Sequence, residues 1–157
     1  FIEPSAEIRN LGVRLKHNAN SAYLAGKRVV LVDDSIVRGT TSKKIVSMVR
    51  AAGAAEVHMR VSSPPISDSC YYGIDTPTKD ELLASKYTVE EMAELIGVDS
   101  LAYISPDGLY TAVCGEARSQ EEPQFCDACF TSEYPIPITD HDDGLNPSQL
   151  SLLAEVD

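Results

Sequence analysis

Apolar and polar positions recur with two different periods along the first half of the chain. Residues 28–32 are mostly β-branched and apolar, which predicts a strand buried on both faces of a parallel sheet. Over residues 41–52 the apolar positions return at helical spacing, and Gly53 suits the end of that helix. Residues 56–62 alternate in part and predict a second strand. Strands that alternate with helices indicate an α/β fold.

Shorter elements are predicted in the second half. Two Thr-x-x-Glu sequences, at 78–81 and 88–91, have the spacing of capping boxes that open short helices. Residues 101–104 predict another strand, and Pro106 suits the start of a helix that reaches about residue 113. Beyond residue 115 the sequence is rich in Pro, Asp and Glu. There we predict an irregular segment with an ordered crossing near residues 125–134, and a loose tail after about residue 140.

The net charge of −11 is unevenly distributed. Residues 1–60 carry a balance of +5, whereas residues 61–115 come to −7 and residues 116–157 to −9. The acidic second half argues against nucleic acid as the main partner, while the basic first part suits an anion. The chain begins at Phe1, without a signal peptide or an apolar run long enough for a bilayer. We therefore expect a piece of a longer cytoplasmic protein.

One unbroken stretch, residues 30–42, joins an apolar strand, an acidic pair and a hydroxyl-rich loop. Asp33 and Asp34 follow the strand, where open α/β sheets bind their ligands. Gly39 permits a tight turn, and the hydroxyl side chains at 40–42 coincide with the start of a helix, whose amides and dipole attract an anion. Adjacent Asp residues also occur in ordinary turns after strands. The Gly-Thr-Thr-Ser that follows favours a ribose-phosphate site.

Residues 32–42 resemble, residue for residue, the loop with which type I phosphoribosyltransferases bind phosphoribosyl pyrophosphate (PRPP). Other landmarks are similar to those of the amidophosphoribosyltransferase family, in its iron–sulfur-containing branch. They are Ser-Pro-Pro-Ile at 63–66, Cys-Tyr-Tyr-Gly-Ile-Asp at 70–75, Asp-Ser-Leu at 99–101 and Phe-Cys-Asp-Ala-Cys-Phe-Thr at 125–131. The resemblance covers about residues 1–135.

The resemblance implies a glycosyltransferase that converts PRPP and glutamine to 5-phosphoribosylamine, the first committed step of de novo purine biosynthesis. It implies a type I phosphoribosyltransferase-like parallel sheet with flanking helices, present only in part over residues 1–115. A Cys-containing extension (116–139) and a flexible acidic tail (140–157) would follow. The family's glutaminase domain and the first strands of its transferase sheet would lie outside this chain, which alone would be inactive.

The same resemblance implies roles for single residues. Asp33 and Asp34 would be catalytic, contacting the ribose hydroxyls partly through Mg²⁺ and stabilising an oxocarbenium-like transition state. Residues 1–18 resemble the family's flexible catalytic loop and the helix after it. For Arg38 and Lys16, an ordinary solvated position is an equally open alternative. The residues implied to bind PRPP are Asp33, Asp34, Ser35, Val37, Arg38, Gly39, Thr40, Thr41, Ser42 and Lys16.

Cys126-x-x-Cys129 has the spacing of a metal-ligand pair, although redox pairs and buried thiols share it. The resemblance adds Cys70 and implies that the three thiolates hold a 4Fe–4S cluster, whose fourth ligand would lie outside this chain. Zinc is the competing metal. Cys114 ends an apolar helix and is expected to be a buried, inert thiol.

The expected partners are PRPP and ammonia from a glutaminase domain, without nucleic acid or membrane. An unpaired sheet edge favours a homo-oligomer. Two other functions stay open: another type I phosphoribosyltransferase with a nucleobase acceptor, and a non-catalytic PRPP sensor. The three cysteines argue against the former, and the sequence has no pattern of a DNA-binding helix to support the latter.

Overall fold

Three parallel strands form the centre of the computed structural model, which describes residues 19–136 and 138. Strand β1 is Arg28–Asp33, β2 is Glu56–Val61 and β3 is Ser100–Tyr103, and they lie in the order β1-β2-β3. Both pairs are parallel, and Val61 lies opposite Asp33 on one side and Tyr103 on the other. The predicted partial parallel sheet is confirmed, with all three strands close to their predicted positions.

Helices connect the strands and continue beyond them. The helices are α1 (Ser21–Leu24), α2 (Thr40–Ala51), α3 (Val89–Ile96), α4 (Pro106–Cys114) and α5 (Ala128–Thr131), with 3₁₀ turns at Lys79–Glu81 and Leu83–Ser85. α2 leads from β1 to β2, and α3 leads into β3, as the α/β pattern predicted. In the described ranges no helix has both the length and the apolar character needed to cross a membrane.

The main core lies between one face of the sheet and the helices α2 and α3. Alternate residues of β2 point to that face, as the pleat of a strand requires, and each is buried. A fully buried aliphatic side chain contributes roughly 1.5–3 kcal/mol to stability. The buried members of the core are Ile36, Val46, Val49, Val57, Met59, Val61 and Ile96.

Strand β1 is not buried on both faces, as its sequence had predicted. Val29 and Leu31 pack against the core, whereas Val30 and Val32 are 59% and 75% exposed. The helices that contribute to the core, α2 and α3, pack on the same face of the sheet. The apolar residues of the opposite face therefore stay open within the described part of the chain.

The two Thr-x-x-Glu sequences behave differently. At α3 the Thr88 amide donates to the Glu91 carboxylate at 2.8 Å, and the Thr88 hydroxyl accepts from the Glu91 amide at 3.3 Å, so this capping box is confirmed. The box predicted at 78–81 is wrong, because this segment is a 3₁₀ turn. Its threonine bonds to the Asp80 carboxylate, and its glutamate pairs with Arg38. Each side chain thus has another partner.

The segment after α4 is irregular, as predicted, apart from the short helix α5. Buried Tyr110 of α4 holds this segment, since its hydroxyl donates to the Phe125 carbonyl at 2.8 Å. The predicted tail after residue 140 and the stretch that resembles the catalytic loop, residues 1–18, lie outside the described residues.

Candidate functional site

The acidic pair lies where β1 ends, at the carboxyl edge of the sheet. The carbonyl of Asp33 accepts hydrogen bonds from the amide and the hydroxyl of Ser62, at 2.9 and 3.0 Å. Its carboxylate accepts from the Asp34 amide at 3.0 Å. Asp34 is exposed, and its carboxylate accepts from the Ser35 hydroxyl at 3.2 Å. Asp33 is therefore part of the local framework, whereas Asp34 faces solvent.

The loop after the acidic pair, residues 35–42, ends in the first turn of α2. Gly39 is the N-cap residue, with φ of 73° in the left-handed region. Among the described residues no side chain caps this helix, so the amides of its first turn keep a positively polarised end. Thr40 is exposed, Thr41 is half-buried and Ser42 is buried. Such a helix start is suited to bind an anion.

Residues 81–83, which are distant in sequence, contact this loop. The Leu83 amide donates to the Val37 carbonyl at 2.8 Å. Arg38 lies against Glu81, with its Nε 3.1 Å and its Nη2 3.2 Å from the two carboxylate oxygens. Arg38 thus has a protein partner, and its role in PRPP binding stays a prediction. Lys16, the other predicted cationic contact, lies outside the described residues.

Gly39→Ala is expected to lower both the affinity for an anion and the free energy of unfolding. The positive φ costs a non-glycine residue about 1–2 kcal/mol, and the added Cβ would lie 2.8 Å from Leu83 Cδ2, which must move. Relaxation at this residue would turn the first amides of α2 away from a bound anion. The expected result is a lower free energy of unfolding in urea together with a reduced affinity for phosphate.

Gly97→Ala is the matched control, because Gly97 also has a positive φ, of 89°, and its added Cβ would meet no atom within 4 Å. It should lose about the same stability and keep its phosphate affinity. Equal phosphate affinity in the two variants would contradict the role given to the Gly39 turn.

Three of the four cysteines come together near α5, and we call Cys70, Cys126 and Cys129 the thiol triad. Two backbone amides, of Ser67 and Asp68, donate to the Cys129 carbonyl at 3.1 and 3.2 Å and so join two distant segments. Burial raises the pKa of the Cys129 thiol, and negative charge on Cys70 and Cys126 raises it further. All three thiols are free, and those of Cys70 and Cys126 are close enough to Cys129 for their charge to affect its pKa.

The thiol triad has the donor atoms of a metal site, but its side chains are not spaced as metal ligands. Within residues 19–136 and 138, no group of three His, Cys, Asp or Glu side chains is arranged to hold a metal ion. Thiolates from two chain segments are nevertheless the donors that zinc and iron–sulfur clusters use. The residues present therefore fit such a group in kind, and metal binding by the thiol triad stays a prediction.

Cys114 is exposed, which corrects the expectation of a buried thiol. It lies in the last turn of α4, and its thiol donates to the Tyr110 carbonyl at 3.0 Å. That turn is at the surface, since the adjacent Val113 is 64% exposed. The helical pattern correctly predicted the element but did not reveal which side of its end faces solvent.

The polar residues that hold the thiol segments were not singled out from the sequence. Asp127, between Cys126 and Cys129, is buried and accepts hydrogen bonds from Arg118 and Tyr110. Burial alone would raise the pKa of Asp127, but the hydrogen bonds from Arg118, Tyr110 and Thr131 and the positive charge of Arg118 together outweigh it, and the pKa is lowered. The available signal was Arg118 itself, the one cation among residues 116–157 of the sequence.

The parallel sheet, the acidic pair at the end of β1 and the glycine turn into α2 together define the class of the type I phosphoribosyltransferases. No family model matches the chain. Individual relatives do match: the chain is homologous to amidophosphoribosyltransferases, as its motifs predicted, and the similarity extends beyond the predicted residues 1–135 to nearly its whole length.

The amidophosphoribosyltransferase of Rhizobium etli is 58% identical over 155 residues, which are 98% of this chain and 31% of that protein. Amidophosphoribosyltransferase 1, chloroplastic, of Arabidopsis thaliana is 55% identical over 140 residues, which are 89% of this chain and 24% of that protein. The chain thus spans about a third or less of the length of these curated relatives.

The solved structures agree with the sequence comparison. The glutamine PRPP amidotransferase of Bacillus subtilis, complexed with ADP and GMP, superposes with a TM-score of 0.74 and 50% identity. It covers 90% of this chain, which in turn covers 31% of that one. A structure described as the allosteric regulatory enzyme of purine biosynthesis gives a TM-score of 0.72 and 49% identity, with 90% and 30% coverage. The fold predicted from the motifs is therefore confirmed.

Proposed function

We propose that this chain is the PRPP-binding part of an amidophosphoribosyltransferase, which converts PRPP and glutamine to 5-phosphoribosylamine. The observation that carries the proposal is the acidic pair at the end of β1 followed by the Gly39 turn and the uncapped start of α2. It occurs in a chain that is 58% identical to a named amidophosphoribosyltransferase. A nucleobase acceptor and a non-catalytic sensor are disfavoured, because the similarity to amidophosphoribosyltransferases extends through the thiol triad.

The 35–42 loop binds the 5′-phosphate of PRPP. The amides of residues 40–42 point along the helix axis toward the phosphate, and the helix dipole adds attraction. The hydroxyls of Thr40 and Thr41 donate further hydrogen bonds. Ser35, Val37 and the other loop residues shape the cradle through their backbone.

Asp33 and Asp34 act on the ribose. Their carboxylates accept hydrogen bonds from the 2′- and 3′-hydroxyls and orient C1 toward the incoming ammonia. As the bond from C1 to pyrophosphate breaks and the bond from ammonia nitrogen to C1 forms, positive charge develops on the ribose ring. Two carboxylates near the ring lower the energy of that transition state.

Two inorganic groups belong to the proposal. Asp33 and Asp34 would hold Mg²⁺, which when bound offsets the charge of the pyrophosphate. The thiol triad would supply three thiolate ligands to a 4Fe–4S cluster, with the fourth ligand outside this chain, and the cluster would link α5 to the segment around Cys70.

We also assign residues 1–115 to the transferase domain, 116–139 to a Cys-containing extension and 140–157 to an acidic tail. A cytoplasmic homo-oligomer completes the proposal.

The 157 residues alone are expected to bind phosphate without turning over substrate. Binding at millimolar concentration, about −4 kcal/mol, should shift the NMR amide signals of residues 40–42. The first turn of α4 is an internal control, because the Ser105 hydroxyl already accepts from the Gly108 amide at 3.0 Å. Its signals should not move.

The same chain should neither hydrolyse glutamine nor form phosphoribosylamine from PRPP, ammonia and Mg²⁺. Turnover by the chain alone would mean that it is a complete small transferase, and phosphate shifts at α4 equal to those at α2 would refute the binding loop. For the protein as a whole, the sequence that precedes Phe1 should encode a glutaminase domain.

A further inference from the structure

The thiol triad lies outside the main hydrophobic core. In the described ranges that core takes its buried members from residues 36–61 and from Ile96, and none from residues 104–136. The segment around α5 buries Tyr110 and Ala128 instead. Hydrophobic packing therefore gives this region less support than it gives the sheet, and polar contacts must set the positions of the thiols.

The most buried ion pair of the described residues joins Arg118 and Asp127. The two side chains are only 5% and 7% exposed, and the guanidinium donates through Nε and Nη2 to both carboxylate oxygens. The Asp127 carboxylate also accepts a hydrogen bond from the Tyr110 hydroxyl at 3.1 Å. The backbone carbonyl of Asp127 accepts one from the Phe130 amide at 2.8 Å, where α5 begins. Because Asp127 directly follows Cys126, the pair fixes the turn that carries two of the three thiols.

A second buried carboxylate ties the Cys70 segment to the end of α5. Asp68 lies two residues before Cys70, is 7% exposed and accepts hydrogen bonds from Lys79 and Ser132. Ser132 has φ of 64° and is the one non-glycine residue with positive φ in the described part of the chain. This backbone conformation is strained. The hydrogen bond to Asp68 is a contact that holds it.

From these contacts we infer that two buried carboxylates hold the thiol triad together before any metal binds: Asp127 through Arg118, a positioning residue, and Asp68 through Ser132. A buried ion pair is costly to desolvate, and its benefit lies in selecting one arrangement of the chain. Here each buried carboxylate is within two residues of a thiol, one on each of the two segments that must meet. The inference rests on the metal-ligand part of the proposed function, but it concerns the geometry of the thiols without metal.

Arsenite tests this geometry independently of iron. In reduced, metal-free, full-length protein, arsenite forms three As–S bonds with the thiol triad and releases three water molecules, without a change in oxidation state. Arg118→Gln should lower the affinity for arsenite at least about tenfold, as the loss of a supporting contact does at metal sites. Phenylarsine oxide needs only two thiols and should lose clearly less affinity than arsenite, because Cys126 and Cys129 are near each other in sequence and can bind it without the Cys70 segment.

Two controls accompany this variant. Arg28→Gln breaks an exposed ion pair with Glu56, between the first residues of β1 and β2, and should leave arsenite affinity unchanged. Arg118→Lys keeps the charge and one donor nitrogen and should restore part of the affinity lost in Arg118→Gln.

Ser132→Ala carries the test if Arg118→Gln does not fold. It removes one hydrogen bond to Asp68 and should lower arsenite affinity about threefold, the effect of one modest hydrogen bond. Parental arsenite affinity in folded Arg118→Lys and Ser132→Ala, or in folded Arg118→Gln, would overturn the inference. The cluster proposal fails separately, if the anaerobically purified parent contains no iron, and that result leaves the arsenite comparison intact.

Discussion

Replacing Asp33 or Asp34 by Asn is expected to reduce the synthesis of 5-phosphoribosylamine on the order of 10²-fold or more, a loss of several kcal/mol of transition-state stabilisation. The amide keeps the shape of the carboxylate but not the charge that stabilises the ribose cation. The complete enzyme should show this loss with ammonia and with glutamine as nitrogen donor, because both routes use the same transfer step. Hydrolysis of glutamine should survive in part.

The two variants differ in what else they disturb. Asp33 accepts the Asp34 amide and lies within the sheet edge, so its substitution should also lower the free energy of unfolding. Asp34 is exposed, so Asp34→Asn should reduce synthesis without lowering the free energy of unfolding. Asp107→Asn, an exposed carboxylate in the first turn of α4, is the matched control and should keep parental synthesis. Near-parental synthesis by Asp34→Asn or Asp33→Asn would refute the catalytic assignment.

Substituting Ser for any member of the thiol triad is expected to leave the full-length protein without iron and thermally less stable than the parent. A structural cluster contributes its binding free energy to folding, so the loss of one thiolate removes the cluster and that contribution together. Iron and sulfide analysis of anaerobically purified protein, together with its visible absorption spectrum, measures the first effect. Thermal unfolding measures the second.

Cys114→Ser is the control for this series, because its thiol is exposed and donates only within and just after α4, to the carbonyls of Tyr110 and Glu116. A serine hydroxyl can make the same bond to the helix. Its iron content and stability should match those of the parent. Equal iron content in Cys70→Ser and the parent would contradict the three-ligand scheme.

Local signals in the sequence were sufficient for the elements of the core. The helical spacing before Gly53, the capping box at Thr88 and Pro106 at a helix start all act within a few residues, and the structure confirms them. The loop after β1 could be predicted equally well, because its strand, acidic pair, glycine and hydroxyl residues follow one another directly in the sequence. Its placement at the carboxyl edge follows from the fold, whereas its ligand is a prediction.

Long-range choices between partners were not readable from the sequence. The Thr78-x-x-Glu81 spacing is right for a capping box, but Glu81 pairs with Arg38, which is distant in sequence. The apolar pattern of β1 predicted burial on both faces, although the described chain covers one face only. The Arg118–Asp127 pair depends on the path of an irregular segment, for which hydrophobic periodicity gives no information.

The short stretch 79–83 has a consequence for how this part of the molecule can evolve. Its anchors reach both candidate sites: Lys79 to Asp68, Glu81 to Arg38 and the Leu83 amide to the Val37 carbonyl. An insertion or deletion between these anchors would pull at least one of them from its partner. Among relatives, gaps should therefore be absent from 79–83, so that the anchors of the two sites inherit a fixed separation along this stretch.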